Sequence, residues 1–306
     1  MDPMTRRSFL QLSARLAAVL GLARSAVPAL AETLAQLANG TAPVLWLQGQ
    51  SCSGCSVSLL NSDPITPSRL LTQYLSLVFH QTLSSATGQT AVDAVNRTID
   101  QGGYILLVEG AVPATMPRAC MFADEPFTTQ LTRAARQAKA VVAVGACAAH
   151  GGIPATENNP TGSISAIQFL ETQGVKTPII AVPGCPVHPD WLVGTVAHVL
   201  RFGLPPLDAL HRPTAFYGRL VHDQCPRFPD YEREVFAKTF SDEGCMFHLG
   251  CLGPITHADC TVRSWNGGIN NCIRAGAPCA GCASELFGQK ADFPFLLNRA
   301  TGKTPV

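Results

Sequence analysis

Between residues 43 and 200 short apolar runs alternate with amphipathic stretches. The runs Val44–Leu47, Tyr104–Val108, Val141–Val144 and Pro178–Val182 read as strands. The segments near 90–101, 126–138, 163–173 and 189–201 read as helices. The last carries Pro189 early, places Trp191, Leu192, Val196, Val199 and Leu200 on one face, and meets Gly203 as a stop. Strands that alternate with helices predict a parallel, doubly wound sheet, an α/β fold. From about residue 205 the pattern lapses. Pro205-Pro206 and a loop rich in Arg and Pro lead into a stretch with little periodicity, where only 229–239 carries a helix signal. Such a stretch buries too little apolar surface to hold its own shape.

Its cysteines change that picture. Seven of the chain's twelve fall between residues 225 and 282. Eleven of the twelve sort, with one histidine, into three groups of four. The first is Cys52, Cys55, Cys147 and Cys185; the second His222, Cys225, Cys245 and Cys251; the third Cys260, Cys272, Cys279 and Cys282. Four thiolates, or three and an imidazole, are the ligand count of an iron–sulfur cluster. In open α/β sheets ligands bind beyond the carboxyl ends of the strands, so loops far apart in sequence converge. Cys52 and Cys55 follow the first strand, Cys147 the third and Cys185 the fourth. In the irregular region two clusters would act as staples, coupling folding to cofactor binding.

Each group has a plainer reading beside it. Cys52-Ser53-Gly54-Cys55 has the spacing of half a zinc site or a redox disulfide. His222 alone is a surface or core histidine; three residues before Cys225 it becomes a ligand candidate, and a neutral imidazole makes a cluster easier to reduce. Cys272 reads as a fourth ligand or as a buried free thiol, which leaves a three-iron cluster. Glu109, at a strand end, is a carboxylate that supports the ligands or transfers protons, or an acid bonded to backbone amides. Cys120 stands outside all three groups as a packed or free thiol.

The 306 residues suit one large or two ordinary domains, and 46% apolar residues suffice for a real core. A net charge of +1 implies no polyanionic partner and excludes nucleic acid as an expectation. Residues 1–31 read as a twin-arginine export signal: Arg6-Arg7, an apolar stretch from Leu16 to Leu22, and Ala29-Leu30-Ala31. Cleavage there removes four arginines and one aspartate, leaving 18 basic and 20 acidic residues and a net charge of −2. That route carries folded, cofactor-loaded proteins, so a periplasmic location follows as an expectation. No later stretch approaches the roughly 18 unbroken apolar residues of a membrane span, and membrane attachment is expected only through a partner. Export also admits six disulfides. A chain with enough apolar residues for a core, two C-x-x-C pairs, and cysteines set among Gly and Pro weigh against them.

Taken together the motifs resemble the small subunits of [NiFe] hydrogenases over essentially the whole chain. The resemblance rests on Trp46-Leu47-Gln48-Gly49-Gln50-Ser51-Cys52-Ser53-Gly54-Cys55, Val108-Glu109-Gly110-Ala111, Val144-Gly145-Ala146-Cys147-Ala148-Ala149-His150-Gly151-Gly152 and Pro183-Gly184-Cys185-Pro186-Val187-His188-Pro189-Asp190-Trp191. It continues through His222-Asp223-Gln224-Cys225-Pro226, Gly250-Cys251-Leu252-Gly253-Pro254 and Trp265-Asn266-Gly267-Gly268.

The resemblance implies a flavodoxin-like domain over 43–204, with the first group as the proximal cluster facing a large subunit. An irregular domain over 205–306 then holds the medial cluster on the third group and the distal cluster on the second. Many members have proline where Cys272 stands and a three-iron medial cluster; a thiolate there implies three [4Fe–4S] clusters and is most similar to the [NiFeSe] type. Oxygen-tolerant members carry two extra cysteines at the positions of Gly54 and Gly152, so an ordinary proximal cubane is implied. The family's nickel site uses paired cysteines on the large subunit, one pair near its C-terminus. This chain has no such terminal pair and is not expected to activate hydrogen alone. The implied role is electron relay between a Ni–Fe site and an acceptor such as a c-type cytochrome. A relay subunit of another dehydrogenase, a hydrogen sensor, and a disulfide-rich exported binding protein are the other readings.

Overall fold

The computed structural model describes residues 43–62, 76–156 and 159–288; the export signal read at residues 1–31 lies outside them. Five strands form the main sheet: β1 (Pro43–Gln48), β2 (Ser76–Phe79), β3 (Ile105–Glu109), β4 (Ala140–Val144) and β5 (Ile179–Val182). All neighbours pair in parallel in the order β2-β1-β3-β4-β5. That is the flavodoxin-like order, with its switch point between β1 and β3. β2 is an addition to the strands predicted from sequence. It is four residues long, lies at the sheet edge and is mostly half-buried, so it carries no continuous apolar run.

The predicted helices form as α2 (Gly88–Gln101), α3 (Phe127–Gln137), α5 (Ala166–Thr172) and α6 (Pro189–Phe202). Two six-residue helices, α1 (Gly54–Leu59) and α4 (Gly145–His150), add themselves at the cysteine-bearing turns. Local chemistry sets the ends. Gly102 at φ +67 closes α2. Ser165 accepts the amide of Gln168 at 3.0 Å and caps α5, which is why that helix starts at Ala166 rather than near 163. Pro189 opens α6, where a missing N–H leaves nothing unpaired.

Alternate residues of each strand face two separate cores. Leu45, Leu47, Leu106, Val108, Val141 and Ala143 pack with α2, α3 and α5. Trp46, Ile105, Leu107, Val142, Val144, Ile180 and Val182 pack with Trp191, Leu192 and Val196 of α6. This second core does not stop at residue 205. Phe216, Tyr217, Val221, Met246, Ile273 and Cys279 belong to it. The irregular C-terminal region is therefore also bolted to one face of the sheet, rather than held by its thiol groups alone.

Among its described residues that region holds only short α-helices: α7 (Thr214–Tyr217), α8 (Phe228–Glu232) and α9 (Cys260–Arg263). The helix expected over 229–239 is a correction. It ends at Glu232; Glu234 takes φ +57, and Phe236 then pairs with Cys245 in an isolated parallel bridge. Among the described residues no helix is long and apolar enough to cross a membrane.

Candidate metal centres

The sheet brings the first group together. Gln48 pairs with Glu109, Glu109 with Val144, and Val144 with Val182, so four strands end in one row. Cys55 sits in α1, Cys147 in α4, and Cys185 in the loop between β5 and α6. Burial pushes the Cys55 thiol well up, helped by Glu109 and by Cys147 and Cys185, against the amide of Val187 at 3.5 Å. Burial likewise pushes Cys147 and Cys185 up to about 11, and each also feels Cys52. Cys52 acts on Cys147 and Cys185, and these two act on Cys55, so the four thiols share one small volume. Their deprotonation there calls for a cationic core.

Glycines leave the room. Gly145 holds φ +83, and a Cβ on it would run into Cys55 Sγ. Gly152 holds φ +54 and faces the backbone and Sγ of Cys147 at 2.9–3.0 Å. A side chain at either place would displace a thiol. Cys52 is exposed, and around this group Val57 and Ile153, 56% and 50% exposed, offer apolar surface.

Glu109, 2% exposed, lies directly behind the first group. It accepts the amides of Cys55 and Ser56 at 3.1 and 3.4 Å, the indole N–H of Trp46 at 3.2 Å and the Gln48 amide at 3.1 Å. The Ser56 hydroxyl also donates to it. His80 stands behind Ser56 at 2.9 Å. Its Nδ1 accepts the amides of Thr82 and Leu83, so Nε2 carries the proton and donates to the Ser56 hydroxyl. Both carboxylate oxygens of Glu109 are thus engaged, two of the donors being amides at the start of α1. Sequence reasoning finds Glu109 but misses Ser56 and His80. A buried histidine next to the β2 run has no periodic signal to mark it.

Cys260, Cys272, Cys279 and Cys282 all line one cavity of about 360 Å³. Burial raises every one, Cys260 to about 12 and Cys282 to about 11, with Cys282 and Cys272 each adding to Cys260. Cys185 of the first group lines the same cavity, and its amide lowers the pKa of the Cys282 thiol. His222, Cys225, Cys245 and Cys251 line a second cavity of only about 10 Å³. Tyr231 and Phe228 pack edge-on against His222, at 4.6 and 5.0 Å between ring centres. Cys120 packs at the margin of the α2–α3 core, where burial raises its thiol pKa.

All twelve cysteines are free thiols. Among the described residues no three His, Cys, Asp or Glu side chains are spaced to hold a single metal ion. A polynuclear cluster spans a wider gap with its own bridging sulfides, and the thiolate and imidazole donor sets fit it. The three groups also stand in series. The third touches the first through Cys185 and Cys282, and the second through Cys279, whose amide donates to Cys251 Sγ at 3.4 Å.

Residues 52–199 match the family described as NADH ubiquinone oxidoreductase, 20 Kd subunit. Residues 217–295 match the family described as the C-terminal part of the NiFe/NiFeSe hydrogenase small subunit. The chain is 40% identical to the periplasmic [NiFeSe] hydrogenase small subunit of Desulfomicrobium baculatum, over 93% of this chain and 96% of that one. It is 38% identical to the hydrogenase-2 small chain of Escherichia coli (strain K12), over 93% and 78%. A solved structure of the Desulfomicrobium baculatum [NiFeSe] hydrogenase aligns with a TM-score of 0.78 at 41% identity, covering 82% of this chain and 98% of that one. Likeness of this extent, running through the strand-end thiols and the irregular region alike, places the chain in the family of [NiFe] and [NiFeSe] hydrogenase small subunits.

Proposed function

We propose that the chain is the electron-relay subunit of a periplasmic hydrogenase and holds three [4Fe–4S] clusters. The first group holds the cluster facing a large subunit, the third the middle one, and the second the outermost one. When bound, such clusters take up and release single electrons, in either direction between a Ni–Fe site in the large subunit and an acceptor such as a c-type cytochrome. The chain's part is to place its thiols, desolvate them and aim amides at them.

The serial contact of the three groups carries this reading. A zinc or disulfide scaffold has no use for ligand sets linked end to end through Cys185–Cys282 and Cys279–Cys251. Exposed apolar side chains beside Cys52 suit an obligate partner surface. Glu109 acts chiefly by fixing the amides of Cys55 and Ser56. The residues divide at about 204, with 43–204 carrying the first group and 205–306 the other two, and the shared core makes them fold together. Residues 1–31 direct export by the twin-arginine route, in keeping with relatives named periplasmic.

A relay in another dehydrogenase is supported by the match of residues 52–199 alone. The match of residues 217–295 favours the hydrogenase. The test is a redox titration of the anaerobically purified native complex followed by EPR. Three clusters that become reduced under hydrogen support the relay; clusters that hydrogen leaves oxidised assign it to another dehydrogenase.

A further inference from the structure

The indole of Trp191 stands between the first and third thiol groups. It is 1% exposed, six residues beyond Cys185, and lines the cavity of Cys260, Cys272, Cys279 and Cys282. Its Nε1–H donates to Asp259 Oδ1 at 2.7 Å, and Asp259 immediately precedes Cys260. Arg263 clamps the same carboxylate from one turn on, with Nε at 3.1 Å from both oxygens, and reaches Asp190 at 3.3 Å with Nη1. His188 accepts the amide of Asp190 on Nδ1, so its Nε2–H donates to the carbonyl of Ser264 at 2.8 Å.

Three polar links therefore join 188–191, beside the first group, to 259–264, which carries Cys260 of the third. Rings fill the space between them. Tyr217 and Trp265 lie 5.1 and 6.2 Å from the Trp191 ring, and the Tyr217 hydroxyl donates to the carbonyl of Pro183 at 2.8 Å. A half-satisfied polar network in such a place would be worse than an apolar one. This one has a partner at the Trp191 N–H, at both ring nitrogens of His188 and at both oxygens of Asp259.

We propose that Trp191 and Asp259 are positioning residues that fix the separation and orientation of the first and third cluster sites, and so set the electron-transfer rate between them. The proposal rests on the relay reading above. Its physical ground is that tunnelling falls off exponentially with distance, so a lock on two ligand loops is a lock on rate. Sites held by packed, hydrogen-bonded neighbours keep such geometry.

The experiment uses the complex of this chain with its large subunit, purified anaerobically, carrying Trp191→Phe or Asp259→Asn. Trp191→Phe keeps an aromatic ring and removes the N–H. Asp259→Asn keeps an acceptor for Trp191 and removes the charge that Arg263 clamps. Three readouts are taken: iron per nickel, the magnetic coupling between clusters in the EPR spectrum, and the ratio of dye reduction to H2/D2O exchange, which occurs before the relay. The expected result for Trp191→Phe is full iron, an altered coupling and a several-fold fall in that ratio, with Asp259→Asn changed in the same sense. Unaltered coupling and ratio at full iron overturn the proposal. Loss of iron from both variants also overturns it, since the residues would then hold clusters in rather than set their spacing. A wild-type complex without cluster signals would instead sink the relay reading itself.

Discussion

The backbone amide of Cys279 donates to Sγ of Cys251 at 3.4 Å, so a member of the third thiol group touches a member of the second. The amide of Cys185 lowers the pKa of the Cys282 thiol in the cavity they share, from the first group to the third. Amides aimed at cluster sulfurs stabilise their negative charge and raise reduction potentials. Here they also join the sites into one line. The middle group borrows part of its surroundings from each neighbour, and changes in it should be felt on both sides.

Cys272 tests the middle site. It is an exposed residue whose thiol still lines the cavity shared by Cys260, Cys279 and Cys282. Cys272→Ala is expected to lower the iron content of the complex by about one and to give an oxidised three-iron EPR signal. Unchanged iron and no such signal would return Cys272 to the status of a free thiol.

Gly145 tests the first site. Its φ of +83 and the position of Cys55 Sγ leave no space for a methyl group. Gly145→Ala adds about 1–2 kcal/mol of backbone strain before the collision is counted. The expected outcome is a lower Tm and loss of about four irons, the content of one cubane. Gly203→Ala, also at positive φ but with open space around it, is the control and should lose no iron.

Glu109→Gln replaces an acceptor pair with one acceptor and one donor among donors. The Cys55 and Ser56 amides, the Trp46 indole and Gln48 all aim hydrogens at this carboxylate. Leaving a buried donor unpaired costs about 1–3 kcal/mol, so a lower Tm is expected. Glu109 also raises the Cys55 pKa, which means that its charge opposes further negative charge there. Removing it should make the nearest cluster easier to reduce, read as a higher midpoint potential in an EPR titration. A lower potential would contradict the sign.

Thiol burial predicts an alkaline weakness in the chelator-treated chain. Burial raises Cys147 and Cys185 to about 11 and Cys260 to about 12, above a usual value of 9.0. A group whose folded pKa is raised gives stability below its unfolded pKa and loses it as pH rises through the folded value. Stability should therefore fall between about pH 9 and 12. Thermal melts of the iron-free and iron-loaded protein across that window check it. The loaded protein should lack the decline, because its thiols are already deprotonated on the metal.

The sheet was legible because its central strands are buried on both faces and read as unbroken apolar runs. β2 was not, since an edge strand of four half-buried residues makes no such run. Cys147 and Cys185 could be brought to Cys52 and Cys55 from sequence because parallel strands end together. The helix over 229–239 failed because Glu234 turns into the left-handed region. No local pattern reports that turn, whereas the Phe236–Cys245 bridge it permits is tertiary. The links Glu109–Ser56–His80 and Trp191–Asp259 were invisible for the same reason, joining residues 24 to 68 positions apart.

The most direct measurement is the iron, nickel and zinc content of the anaerobically purified native complex. Three cubanes and a Ni–Fe site predict about thirteen irons per nickel and no stoichiometric zinc. About twelve irons would keep the relay but remove Cys272 from its ligands. Iron without nickel would contradict the hydrogenase assignment, and the absence of both metals would contradict the cluster relay altogether.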